Sequence, residues 1–168
     1  MTAEPRPPDR WRRRIFPAVA VPAFERDARS IAHHEAGHAV VLDCIGMPIS
    51  RIEASPTRGQ VSIDIEAVRR CSEVPMDDAA KERAACQLAA GYMAGLQAEL
   101  ILHDIRPGGM VLPDDHDHRA ARTILCEVCG TAISLGYCQL LARHFLTTNW
   151  PNVQRLADRL QICGEMDL

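Results

Sequence analysis

Lysine is almost absent from this 168-residue chain: Lys81 is the only one, so nearly all the positive charge is arginine, and the net charge is −3. That balance gives no reason to expect nucleic acid or an anionic membrane as a partner. The arginine excess, beside abundant alanine and proline, reads as compositional bias rather than a binding surface. No apolar run approaches the roughly 20 residues of a membrane-spanning helix, so membrane insertion is not expected. Residues 10–24, RWRRRIFPAVAVPAF, imitate a secretory leader, but the apolar part is short and carries Pro17 and Pro22, so a leader is not expected either. The seven cysteines are odd in number and lack the dense spacing of a disulfide scaffold. Reduced thiols and a cytoplasmic location are the expectation. No internal repeat is visible.

What is present is a globular composition long enough for one domain with its own core. Residues 1–22 hold five of the eleven prolines and a cluster of arginines, which predicts a flexible or loosely docked arm ahead of a single domain over 23–168. A helical pattern runs from about Glu25 to Ile45, with Gly46 and Pro48 as its stop. Two alternating segments, Ile49–Ala54 and Gln60–Ile65, flank a Ser-Pro-Thr-Arg-Gly turn and predict a β-hairpin. A second helix begins near Asp77 or Asp78 and runs through an alanine- and leucine-rich stretch to about Asp104. A third is expected from about Asp115 to Leu146, with a break near Gly130 or Gly136. A last one restarts at Thr148 or Asn149 with Pro151 in its first turn. The predicted fold is α+β and predominantly helical, with one small sheet and a C-terminal helical bundle.

The chemistry is concentrated in SIAHHEAGHAVVLDCIGMP, residues 30–48. On a helix, residues four apart differ by about 40° in direction, so His34 and His38 project from one face, one turn apart. Two imidazoles so placed can share one tetrahedral ion at about 2.0–2.1 Å. Glu35 flanks the same face, where its carboxylate can reach a water at the metal without ligating the metal itself. The plain alternative is a pair of half-exposed histidines and a solvated glutamate. Small Ala36 and Gly37 favour the metal, because nothing bulky crowds the imidazoles. Gly37 costs about 1 kcal/mol against alanine in a helix interior, which implies a role in packing or access.

The third ligand is open at this level. An H-E-x-x-H-x-x-G-x-x-H continuation fails, since Val41 and Cys44 stand where glycine and histidine are needed. Glu99 on the second helix is one candidate. Asp114, Asp115 and Asp117, with His116 and His118, crowd a helix start and supply others, although acidic residues there also serve as caps. Cys126 and Cys129, with Cys138 and His144, could form a second metal site. A lone C-x-x-C inside an apolar helical stretch reads better as buried packing.

Four segments in order resemble the FtsH family, the zinc peptidase domain of membrane-anchored AAA+ proteases. AHHEAGHAVV is similar to its zinc signature. RIEASPTRGQVSI resembles its following hairpin, and AGLQAEL, residues 94–100, its A-G-x-x-A-E-x-L helix. DDHDHRAARTIL resembles its N-D-x-x-x-A-T segment, whose aspartate is the third zinc ligand. The resemblance spans about residues 26–162 and is strongest at the first motif. Matching Ala121 to the family's alanine places the aspartate at Asp117. His116 replaces the usual asparagine and the preceding loop is longer, which keeps Asp115 as a rival. Glu99 then reads as a supporting carboxylate. The resemblance implies a zinc-dependent endopeptidase with His34, His38 and Asp117 as ligands and Glu35 as base. A polypeptide substrate would be laid along Gly59, Gln60, Val61, Ser62 and Ile63. No phosphate-binding loop is present, so the peptidase is expected to act without a motor of its own, on flexible or unfolded segments, with homo-oligomerisation or a separate delivery partner supplying substrate. The rival functions are a zinc-retaining module that does not cleave and a helical interaction protein without metal.

Overall fold

The computed structural model describes residues 18–20, 26–71, 75–106, 109–111, 115–130 and 135–168. Most of the expected arm, Asp114 and the linker 131–134 lie outside the described residues. The architecture is α+β and mostly helical, as the periodicity predicts.

Helix α1, Ala28–Cys44, starts where Asp27 accepts a hydrogen bond from Ser30 N at 2.7 Å and satisfies one of the orphan donors of the first turn. It ends in a left-handed Gly46, φ 74°, with Met47 N donating to Leu42 O at 2.9 Å. Strands β2, Ile49–Ala54, and β3, Gly59–Ile63, form the predicted antiparallel hairpin. The C-terminal strand β5, Glu165–Asp167, adds to the other side of β2 and makes the sheet order β3-β2-β5. Ile52 at its centre is fully buried and pairs across with Val61 and Met166.

Helix α3, Asp78–Leu102, is capped by Asp77 and forms the centre of the domain, packed against α1, α4 (His116–Cys129) and α5 (Leu135–Thr148). Its α1-facing side is built from small residues. A Cβ on Gly37 would sit 2.6 Å from Ala98 Cβ and 3.0 Å from Ala94 O, and one on Gly91 would meet Leu42 Cδ2 at 2.8 Å. Two helices at that separation leave no room for a methyl, so Gly37 serves packing. The pair runs antiparallel: Ser30 Oγ lies 3.0 Å from His103 Nε2 at one end, and Leu42 meets Gly91 at the other.

The expected third helix is two, α4 and α5, with the break at Gly130, one of the two glycines expected to interrupt it. Gly130 caps α4 with φ 63°, a conformation that glycine adopts without steric cost. Helix α6, Trp150–Cys163, starts after Asn149 with Pro151 near its first turn, but Asn149 makes no side-chain cap bond. Three short additions, a helix, a strand pair and a single strand, were not expected. Helix α2, Ile65–Cys71, follows the hairpin directly, and β1, Ala18–Val19, pairs in parallel with β4, Met110–Val111. Ala18–Val19 falls within the expected arm. The third is β5, described above. Among the described residues no helix is long and apolar enough to cross a membrane.

Candidate metal centre

His34 and His38 leave α1 one turn apart, with ring centroids 4.7 Å apart. Their imidazoles lie against the backbone of α3 at Gly95, where any Cβ would overlap both rings. Each ring is oriented by a group that can only accept a hydrogen bond. His38 Nδ1 donates to Gly91 O at 2.8 Å, and His34 Nδ1 donates to the Glu99 carboxylate. With the protons on Nδ1, both Nε2 atoms turn lone pairs into the same space, 3.0 Å apart. Asp117 Oδ2 lies 3.3 Å from each of them.

Three acceptors facing one another repel unless a cation or an added proton sits between them. The spacing suits a metal: ligand atoms at 2.0–2.1 Å from a tetrahedral ion are about 3.3 Å from one another. His34, His38 and Asp117 are the one group of three potential ligands found this close together among the described residues. The donor set of two imidazoles and one carboxylate, with a fourth direction open to the cleft, fits a divalent transition metal.

The charges agree with this picture. Burial disfavours an imidazolium at His34, yet Asp117 and Glu99 outweigh it and push its pKa up to about 9. Burial likewise disfavours the Asp117 carboxylate, but its bonds to His34 and His38 and their charges hold it well below the usual carboxylate range. Glu35 is raised, by burial above all, with the His38 and His34 charges opposing. A carboxyl held above its ordinary range is better matched to taking up a proton near neutral pH.

The first turn of α4 sorts the competing aspartates. Asp115 is the N-cap and accepts from His118 N at 2.8 Å, while Asp117, two residues on, turns to the histidine pair. Buried Gln139 of α5 holds strand β4: its side chain accepts from Val111 N at 3.1 Å and donates to Val111 O. His33 points away from the centre: its Nδ1 donates to Arg29 O at 2.8 Å. Its ring lies 5.9 Å from Trp150. Cys126 is exposed, and no group of three ligands includes the cysteines among the described residues.

Glu35 packs over the start of β3: a Cβ on Gly59 would overlap its carboxylate. A cleft of about 750 Å³ runs from Asp117 and the histidines past Glu35 and along Gly59, Gln60, Val61 and Ile63. Hydrogen bonds of the sheet show which main-chain groups face it. Ala54 N bonds to Gly164 O and Leu168 N to Ser50 O, so alternate residues of β2 turn towards β5 and Arg51 and Glu53 turn towards β3. Their partners Ser62 and Gln60 turn back to β2, which leaves the N–H and C=O groups of Gly59 and Val61 directed outward. Among the described residues no strand covers that edge. Of the five residues expected to contact substrate, Gly59 and Val61 therefore offer main-chain pairing, and Ile63 lines the cleft. Gln60 binds Arg58 Nη2 through its side chain at 2.9 Å, and Ser62 O accepts from Ser50 Oγ at 3.3 Å.

Three participants escaped the sequence reading: Gly95, the Gly91 carbonyl and Arg26. The G-x-x-x-G spacing of Gly91 and Gly95 was a usable signal for close helix approach. Arg26 gave none. No protein-family model and no curated protein matches the chain.

Proposed function

We propose that the protein is a zinc-dependent endopeptidase, an FtsH-like peptidase domain acting on flexible or unfolded polypeptide. The observation that carries this reading is the convergence of two Nε2 lone pairs and the Asp117 carboxylate beside the Glu35 carboxyl, at the head of an uncovered strand edge.

His34 Nε2, His38 Nε2 and Asp117 Oδ2 would hold the ion. Zinc there supplies Lewis acidity, polarising a peptide carbonyl and lowering the pKa of water towards about 7. Glu35 takes the proton from the attacking water on its carboxylate and delivers it to the leaving amine nitrogen. Gly59 and Val61 pair with the substrate main chain as an added strand, a mode that tolerates many side chains because the bonds are to backbone. Only an extended segment can lie along that edge, so folded substrates must be opened first, by a partner or by their own flexibility. The six cysteines whose side chains are described are unpaired, which fits a reducing, cytoplasmic setting.

Glu35→Gln separates this reading from a zinc-holding module that does not cleave. The amide keeps the shape against Gly59 but cannot take the proton. Wild type should cut casein, and Glu35→Gln should cut it at least about 100-fold more slowly with zinc content unchanged. Zinc-loaded wild type that leaves casein and other unfolded substrates intact would favour the binding module.

A further inference from the structure

Glu99 is the most deeply buried carboxylate of the described chain, at 0% exposure, and it is not one of the three converging ligand groups. It lies behind them, accepting from His34 Nδ1. The desolvation of such a carboxylate costs several kcal/mol unless a partner of opposite charge offsets it. Arg26, just ahead of the Asp27 cap, provides that partner. Its Nη2 donates to Glu99 Oε1 at 2.6 Å and its Nε donates to Glu99 Oε2 at 2.9 Å, a two-pronged grip across 73 residues of sequence. No lysine and no second arginine is bonded to Glu99 among the described residues.

We propose that Arg26 is a positioning residue for the metal centre, acting through Glu99 on His34. The inference rests on the metal-centre reading above. With both carboxylate oxygens held by the guanidinium, Glu99 Oε1 is fixed where it receives the His34 Nδ1 proton, so the ring keeps the tautomer and angle that aim Nε2 at Asp117 and His38. The charge account is complete as well. Arg26 and Glu99 neutralise each other behind the ring, leaving Asp117 and Glu35 to balance a divalent ion in front of it. Arg26 is half exposed, so it acts at little cost to the core and can be replaced without opening a cavity.

The test is zinc affinity, measured by competition with a chromophoric chelator, on the full chain. Arg26→Ala is expected to weaken binding about 10- to 100-fold, the usual cost of losing a partner behind a ligating histidine. Arg26→Lys, which restores charge but not the fork, should recover part of the loss. In a Glu99→Gln background, where there is no carboxylate to hold, Arg26→Ala should change the affinity less than threefold. The cobalt-substituted protein reports the same centre without turnover: the visible absorption of cobalt(II) should shift in Arg26→Ala and not shift further in the double variant. Unchanged zinc affinity in Arg26→Ala overturns the proposal, and so does an equal loss in the Glu99→Gln background, which would mean that Arg26 acts elsewhere. If Arg26→Ala fails to fold, Arg26→Lys carries the test, and a lysine variant indistinguishable from wild type in both affinity and cobalt spectrum overturns it. Failure of wild type itself to bind zinc would sink the metal centre, a result distinct from any of these.

Discussion

The two walls of the centre are built differently. On the α1–α3 side, His34 and His38 lie against a helix backbone that admits no methyl group at Gly95, and both rings are fixed from behind by Glu99 and the Gly91 carbonyl. On the α4 side, Asp117 is more exposed, its side chain 28% against 12% and 10% for the two histidines. It owes its place to the first turn of α4, which Asp115 caps. One wall is set by helix packing at van der Waals distance, the other by a helix tip. Packing tolerates almost no change of volume, whereas a tip held by single hydrogen bonds can lose a side chain without disturbing the core.

The contrast predicts unequal costs. Gly95→Leu should be the most damaging substitution, because the new side chain must displace both imidazoles or part α1 from α3. Overpacking of this kind costs about 1–3 kcal/mol or more, so thermal unfolding should move down by several degrees and zinc uptake should vanish. A wild-type melting curve for Gly95→Leu would mean that the walls do not differ as described. Asp117→Ala tests the other wall. Zinc affinity should fall at least tenfold, while the metal-free unfolding midpoint should fall less than in Gly95→Leu, since the bonds to His34 and His38 are lost but no packing is. Strong zinc loss in Asp115→Ala with Asp117→Ala unaffected would show that the cap and the ligand had been exchanged.

The smallest effect is in the pH dependence. In metal-free protein, held so by a chelator, the raised pKa of His34 contributes stability that is complete below about pH 6.5, the ordinary histidine value. That stability is lost as pH rises towards about 9. The depressed carboxylate of Asp117 adds stability above about pH 4 that disappears only in acid. Zinc needs its histidines neutral, so the stabilisation it adds grows over the same window. Melting curves at pH 6, 7.5 and 9 should therefore fall for the chelated protein relative to the zinc-loaded one, and parallel curves would contradict the His34 assignment.

Much of this was legible in the sequence because it is local. The Asp77 helix start, the Gly46–Pro48 stop, the hairpin and the shared face of His34 and His38 each follow from residues within one or two turns, whereas the first helix, expected from about Glu25, starts at Ala28 behind the Asp27 cap. Asp117 against Asp115 was not decidable from composition, since either can occupy a first turn. The choice depends on which one bonds the His118 amide. Strand β5, Glu165–Asp167, is three residues with one apolar side chain, too short for an alternating pattern, and exists because Met166 can cover Ile52. Helix α2 is only seven residues long, and its cap, Asp64, which accepts from Ala67 N at 3.0 Å, lies inside the segment that alternation assigns to the second strand. The Arg26–Glu99 pair joins residues 73 apart and has no local signature at all.

The central claim is that His34, His38 and Asp117 hold a zinc ion, and elemental analysis tests it most directly. Wild-type protein purified without a histidine tag and dialysed against metal-free buffer should retain one zinc per chain, and His38→Ala, still folded by circular dichroism, should retain none. Wild type without zinc, or His38→Ala with its zinc intact, would contradict the account.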